Sequence, residues 1–488
     1  MAALRCALLV AACVGVALAA KPHATFSLWR APHVRGAAAA HRGDGVAARA
    51  GPFWRSHPTA ARVAAGLGSA GVHPYPMSGG TGMASGAAFW MNLTVGSPGV
   101  TFAVQVDTGS SNTLVPTVGC DTCGGPSVSP RRYSPAQSNT SRALACSSAM
   151  CQNCVAPQVG TAVLPSYNQP CKYRGQCVGA GTCEMQVSYG GGSLSALGHV
   201  HQDRACLVGG GPAGAPTVCG KPEYTYIGAM FSQDPPESLP NGILGLAFPD
   251  NACTPTCQPT FLDSLVASGA IAPEMNRFGM CVTDSRGGIL DLGGVDGTRV
   301  IGGEAAIQYA KVTHKHWYNI DVVSLQFAGG RTVPVPSLYW GVTNDVIGSF
   351  VDSGTMPLLM GPAIFQHFAA AFLADYAHLP GVSQLFQSGG MFASGCANLT
   401  AAQVAAYPTL QFNVRGQSGD ATFPVEVESR DYLQPQPGGS PDTVCLQVAG
   451  VPSLGVIMGD VVMNRYYMVF DRVNARLGFG KLNPGSCR

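Results

Sequence analysis

Apolar positions in this chain fall in short runs punctuated by glycine, proline and small polar residues, which predicts strands joined by turns. Residues 102–106 (Phe-Ala-Val-Gln-Val) read as a strand that delivers Asp107 to the tight turn Asp107-Thr108-Gly109-Ser110-Ser111. Residues 347–351 (Ile-Gly-Ser-Phe-Val) do the same for Asp352-Ser353-Gly354-Thr355, 245 positions later. Each turn is followed, after a long stretch, by an apolar pair and a glycine: Ile243-Leu244-Gly245 after the first, Ile457-Met458-Gly459 after the second. A single such triplet would be an ordinary surface turn in a chain this rich in Gly and Ser. The same series met twice is an internal repeat, and it predicts two related lobes that each contribute one carboxylate.

The rest of the pattern fits that frame. Further strand signals stand at 89–95, 289–294 and 317–323. Residues 187–194 (Val-Ser-Tyr-Gly-Gly-Gly-Ser-Leu) read as a hairpin with a glycine tip. Residues 261–268 predict a short helix, and 358–379 an amphipathic helix whose Pro362, His367, Asp375 and His378 argue against a membrane span. The lobes divide near residue 277.

Composition narrows the class. Of 488 residues, 46% are hydrophobic and only 11% charged, so the chain can bury sizeable cores and is not a disordered one. A formal charge of +2, with no basic cluster interleaved with aromatics, excludes nucleic acid as the main partner. Arg5, the apolar run 6–16 and the small residues Ala17-Leu18-Ala19 predict a signal peptide over 1–19, and no later apolar stretch is long and unbroken enough to span a membrane.

Residues 20–77 carry Lys21 and six arginines against Asp44 alone, whereas 20 Lys and Arg stand against 25 Asp and Glu beyond them. Composition alone reads this segment as a basic, disordered spacer. Charge complementarity adds a second reading, a cationic segment that holds to an anionic body at neutral pH and loosens as carboxylates protonate.

Ten cysteines lie between Cys120 and Cys219, including the C-x-x-C pairs Cys120/Cys123 and Cys151/Cys154. That spacing admits a zinc reading, but behind a signal peptide disulfides are expected. Removing Cys6 and Cys13 with the leader leaves 16, an even number. Gly209, Gly211 and Gly214 spell G-x-G-x-x-G, yet Pro212 and Pro216 break any following helix, so no dinucleotide site is inferred. His314 and His316 flank Lys315 without a third ligand nearby and read as solvated strand-end histidines; no metal is expected. Asn92, Asn139 and Asn398 open N-x-[ST] sequons.

The order and local sequences VDTGSSN, NGILGLAF, VDSGT and IMGDVVMNRYYMVFDRVNARLGF resemble the pepsin-like aspartic peptidases, from about residue 87 to the end. The cysteine-rich insertion resembles the nepenthesin-type branch. The resemblance implies an all-β, bilobal fold with pseudo-two-fold related lobes and a few short helices. The organisation it implies is a signal peptide (1–19), a basic propeptide (20–77), an N-terminal lobe with the insertion and flap (78–277) and a C-terminal lobe (278–488). It makes Asp107 and Asp352 a catalytic pair, with Thr108, Gly109, Ser110, Ser353, Gly354 and Thr355 supporting the turns. Tyr189, Gly190 and Gly191 would form a flap over substrate, and Cys396 would bond Cys445. The implied activity is hydrolysis of polypeptide substrates at acidic pH by an activated water, without a cofactor, in a monomer made as a zymogen. Its own propeptide would be the intramolecular inhibitor, and the protein would be secreted or vacuolar.

One departure stands out. The family places a tryptophan where this chain has Leu114, which cannot donate a hydrogen bond toward the flap tyrosine. With both aspartates intact, this predicts altered kinetics or specificity and not loss of activity. The resemblance also implies a second reading, a catalytically silent relative that binds another protein. The intact triplets favour the peptidase, because silent members commonly lose an aspartate or its turn.

Overall fold

The structure is a computed structural model that describes residues 72–80, 88–123, 131–152, 177–178, 181–189, 194–209, 215–234, 242–252, 257–283, 287–346, 348–386, 395–435, 440, 442–451 and 455–487. The expected signal peptide and most of segment 20–77 lie outside these residues. So do Gly190, Gly191, Gly211, Gly214 and Cys154. By contacts the chain divides into two units, 1–60 with 188–194, and the remainder. Of the first unit only Ser188, Tyr189 and Leu194 are described; everything below concerns the second unless stated.

The protein is mostly strand, with few and short helices. In the first half, strand Val100–Asp107 pairs antiparallel with Ala88–Val95. The alternation that the sequence shows is real: Phe102, Val104 and Val106 are buried while Ala103 points out. Strand Ile243–Gly245 then lies parallel to the end of Val100–Asp107, Gly245 opposite Asp107, and antiparallel to Thr113–Pro116. In the second half Ser349–Val351 lies parallel to Val456–Met458, which in turn runs antiparallel to Leu358–Met360. The internal repeat is thus a repeated topology, a strand–turn–strand crossed by a later strand that supports the turn.

A continuous ladder links the halves. His73–Gly80 pairs through His73–Met77 with Gly288–Leu292 and through Ser78–Gly80 with Ala88–Trp90. Arg277–Val282 lies between Gly288–Leu292 and Tyr466–Asp471, and the latter pairs with Arg476–Lys481. Residues 73–77 belong to the segment expected to be propeptide; here Tyr75 and Met77 are buried and the Tyr75 hydroxyl donates to the Pro216 carbonyl at 2.7 Å. Phe278 stacks on Phe470 at 4.6 Å, with Tyr318 edge-on to both, at the centre of this ladder.

Three details differ from the sequence expectation. Residues 358–379 are not one helix: Leu358–Met360 is a strand held on both edges, and the helix Pro362–Tyr376 begins at a proline whose missing N–H suits a first helical turn. That helix buries Ile364, Phe368, Ala371 and Phe372, each large side chain worth about 1.5–3 kcal/mol of burial. The strand expected at 317–323 is split into Asn319–Ile320 and Val322–Phe327, leaving Trp317 outside it. His316 is buried, not solvated. The short helix after residue 260 runs Phe261–Ala267, closed by a capping box between Thr260 and Asp263.

Disulfides join Cys120 to Cys123, Cys151 to Cys183, Cys206 to Cys219, Cys281 to Cys487 and Cys396 to Cys445. Only the first C-x-x-C pair closes on itself. Asn92, Asn139 and Asn398 are all exposed.

Candidate active site

The two supported turns meet. Asp107 and Asp352 are 6% and 8% exposed, so each carboxylate is nearly withdrawn from water yet still reachable. Their surroundings are matched. The Gly109 N–H donates to Asp107 Oδ1 at 2.8 Å and the Ser110 hydroxyl to Oδ2 at 2.5 Å. The Gly354 N–H donates to Asp352 Oδ1 at 2.8 Å and the Thr355 hydroxyl to Oδ2 at 2.5 Å.

The glycines are required by close approach. A Cβ on Gly109 would lie 2.4 Å from Asp352 Oδ1, and one on Gly354 would lie 2.5 Å from Asp107 Oδ1. Each turn therefore packs against the carboxylate of the other. Thr108 and Ser353 lock this arrangement through four hydrogen bonds. The Thr108 N–H donates to Ser353 Oγ (3.1 Å) and the Ser353 N–H to Thr108 Oγ1 (3.0 Å). The Thr108 hydroxyl donates to the Val351 carbonyl (3.1 Å) and the Ser353 hydroxyl to the Val106 carbonyl (2.8 Å).

Burial, then the neighbouring Asp352 charge, pushes the Asp107 carboxyl well above the usual carboxylate range, against the opposing donors Ser110 and Gly109. Two carboxyls this close share a proton more cheaply than they hold two charges, so the pair offers an acid and a base side by side. A third carboxyl, Asp460, is fully buried behind the second turn; its N–H donates to the Thr355 carbonyl at 2.8 Å. Neither of its side-chain oxygens meets a hydrogen-bonding partner among the described residues, and burial, with repulsion from Asp352 and Asp107, raises its pKa well above the ordinary value. Its place in the first half is taken by Leu246. Aligning NGILGLAF with VIMGDVV would have exposed this asymmetry.

Sequence reading also missed two groups at Gly109, whose carbonyl accepts from Trp317 Nε1 (2.7 Å) and Asn251 Nδ2 (3.0 Å). Their spacing from the triplets carries no local signal. Leu114 is a buried core residue packed beside Gly228 and Met185. Tyr189 ends the strand Thr182–Tyr189, and the glycines after it are among the residues not described. His316, with its pKa lowered to about 4 by burial, lies against Trp317; among the described residues no His, Cys, Asp or Glu cluster could hold a metal.

A family model described as eukaryotic aspartyl protease matches residues 88–150 and 180–482. Cathepsin E of Aquarana catesbeiana is 25% identical over 400 residues, covering 80% of this chain and 78% of that protein. Cathepsin D of Clupea harengus is 26% identical over 415 residues, covering 81% of each. An aspartic protease of Phaffia rhodozyma is 28% identical over 297 residues, 61% of this chain and 63% of its own.

Proposed function

The chain belongs to the eukaryotic aspartyl protease family and is an aspartic-type endopeptidase; on that premise we propose that Asp107 and Asp352 are its catalytic pair. The observation that carries the reading is the matched cradle: two carboxylates in equivalent donor sets, each against the other turn's glycine. In the reaction, the ionised member takes a proton from a water as its oxygen attacks the scissile carbonyl carbon, and the protonated member gives its proton to the carbonyl oxygen. When the tetrahedral diol collapses, the C–N bond breaks and the departing nitrogen takes a proton from the pair. No covalent bond to the enzyme forms and no cofactor is needed. Rapid-quench mass spectrometry tests this step: the reading expects no acyl-enzyme and no acyl capture by added hydroxylamine, and an acylated chain would overturn it.

The finer reading is ours as well. Substrates are polypeptides, cut at acidic pH, because the pair must hold one proton. The protein is made as a zymogen with the signal peptide at 1–19 and the inhibitory basic segment within 20–77, a reading supported by the opposite charges of segment and body. We assign 78–277 and 278–488 to the two lobes, with the strand from His73 leading into the first and kept with it, and Tyr189, Gly190 and Gly191 to a flap that works without the tryptophan replaced by Leu114. The unmatched stretch 151–179 within the cysteine-rich block supports a place in the nepenthesin-type branch. The leader and disulfides support the secretory pathway, ending outside the cell or in a vacuolar compartment, with glycans on the exposed asparagines of the sequons and a monomeric enzyme.

A further inference from the structure

Trp317 lies 208 positions from Gly109 and in neither half of the repeat's turn motif, yet its indole N–H reaches the first catalytic turn. Its ring stacks on Phe350 with centroids 4.5 Å apart and planes 11° from parallel. Phe350 is in the strand that delivers Asp352, two residues before it. One side chain therefore touches the scaffold of both carboxylates. We propose that Trp317 is a positioning residue for peptide hydrolysis, fixing the Gly109–Ser110 peptide against the strand that carries Asp352. The proposal rests on the reading of Asp107 and Asp352 as the catalytic pair.

The physical argument is that a peptide unit is planar. Holding the Gly109 carbonyl oxygen sets the plane that leads into Ser110, and so the direction from which the Ser110 hydroxyl reaches Asp107 Oδ2. The Gly109 N–H, in the preceding peptide unit, donates to Oδ1 of the same carboxylate. A rotation of the Gly109–Ser110 peptide moves the Ser110 donor directly and turns the backbone at Gly109, whose N–H is the other donor.

Trp317 is itself well anchored. Its backbone N–H donates to Asn319 Oδ1 at 3.1 Å, and Asn319 is paired directly with Phe350 in the sheet. On either side, the Phe248 N–H donates to the His316 carbonyl (3.3 Å) and the Tyr318 hydroxyl to the Leu246 carbonyl (2.7 Å). The His316 ring stands perpendicular to the indole at 4.4 Å. Segment 316–319 is thus clamped to the first half beside the strand that supports Asp107. Asn251 supplies the second donor to the same carbonyl, so the two side chains should act as coupled partners.

The test uses the acid-activated full-length protein and Trp317→Phe, which keeps the stacking ring and removes the N–H. A lost neutral hydrogen bond of this kind corresponds to a fall in kcat of about two- to tenfold, with KM unchanged. Ser110 and Gly109 hold the pKa of Asp107 down, so weakening them moves the alkaline limb of kcat to higher pH; the charged groups facing Asp107 there are Asp352 and Asp460. Asn251→Ala should cost more in the Trp317→Phe background than in the wild type. Incorporating 3-benzothienylalanine at 317, which keeps the ring shape but has sulfur in place of N–H, repeats the test without a cavity and covers a Trp317→Phe protein that does not fold. An unchanged kcat and alkaline limb in a folded variant would overturn the proposal. Asp107→Asn is run alongside: if that protein still cuts, the catalytic-pair reading has failed instead.

Discussion

Thr108 and Ser353, 245 positions apart, exchange hydrogen bonds reciprocally: each backbone N–H donates to the other's side-chain oxygen, and each hydroxyl donates to the carbonyl two residues before the other. All four groups are buried. The single hydrogen of each hydroxyl is therefore committed across the repeat, and the two turns are one unit.

Thr108→Val keeps the shape and strands the Ser353 N–H and Val351 carbonyl in the interior. Each unsatisfied buried group costs about 1–3 kcal/mol, so equilibrium unfolding in urea at acidic pH should show a loss of about 2–6 kcal/mol. Ser353→Ala should behave alike, and the double variant should cost less than the sum of the two. Thr108→Ser should be close to wild type.

Gly109→Ala and Gly354→Ala each put a methyl within 2.4–2.5 Å of the opposite carboxylate. The proteins should fold, since the clash is local, but a carboxylate pushed about 1 Å aside should lower kcat on the order of 100-fold. Circular dichroism with kcat measured on the same samples separates these effects.

Much of this was legible in the chain. The strand–turn repeat, its later support strands and the turn residues are local patterns of apolar runs and small polar residues. Cys396–Cys445 was legible only through resemblance, since spacing does not fix pairing. What escaped was non-local or context-dependent. Trp317 looked like strand because aromatic and β-branched residues follow it, but its indole is committed to a turn from the other half. His316 looked solvated beside Lys315, yet its neighbours bury it. Leu358–Met360 has helix-forming residues and becomes a strand because partners lie on both edges, an override of local propensity by pairing.

The buried carboxyls should make stability fall as pH rises from acid toward neutral, against the opposite contribution of buried His316, which is present above its ordinary value and lost as pH falls toward about 4. Asp107 and Asp460 both have folded-state pKa values raised above the unfolded ones, so their contribution is complete below about pH 4 and is lost as pH climbs through the raised values. Asp471, lowered by Asn474 and Arg476 despite burial, acts oppositely and is lost only at the acid extreme. Thermal midpoints of wild type and Asp460→Asn across pH 3–7 check the sign: the amide cannot ionise, so its curve should fall less steeply.

Processing should spare residues 73–80, because that strand is paired to both Gly288–Leu292 and Ala88–Trp90. N-terminal sequencing of acid-activated protein should find a mature chain that begins before His73. A chain started at Thr81 should unfold at a lower temperature by several degrees.

The most direct test is cleavage of a denatured protein from pH 3 to 7 by the wild type, Asp107→Asn and Asp352→Asn, each shown to be folded. The account predicts wild-type activity that rises toward acid pH and no detectable cleavage by either variant at any pH. Cleavage that persists in either asparagine variant, or a folded, processed wild type that cuts nothing across the range, would contradict it.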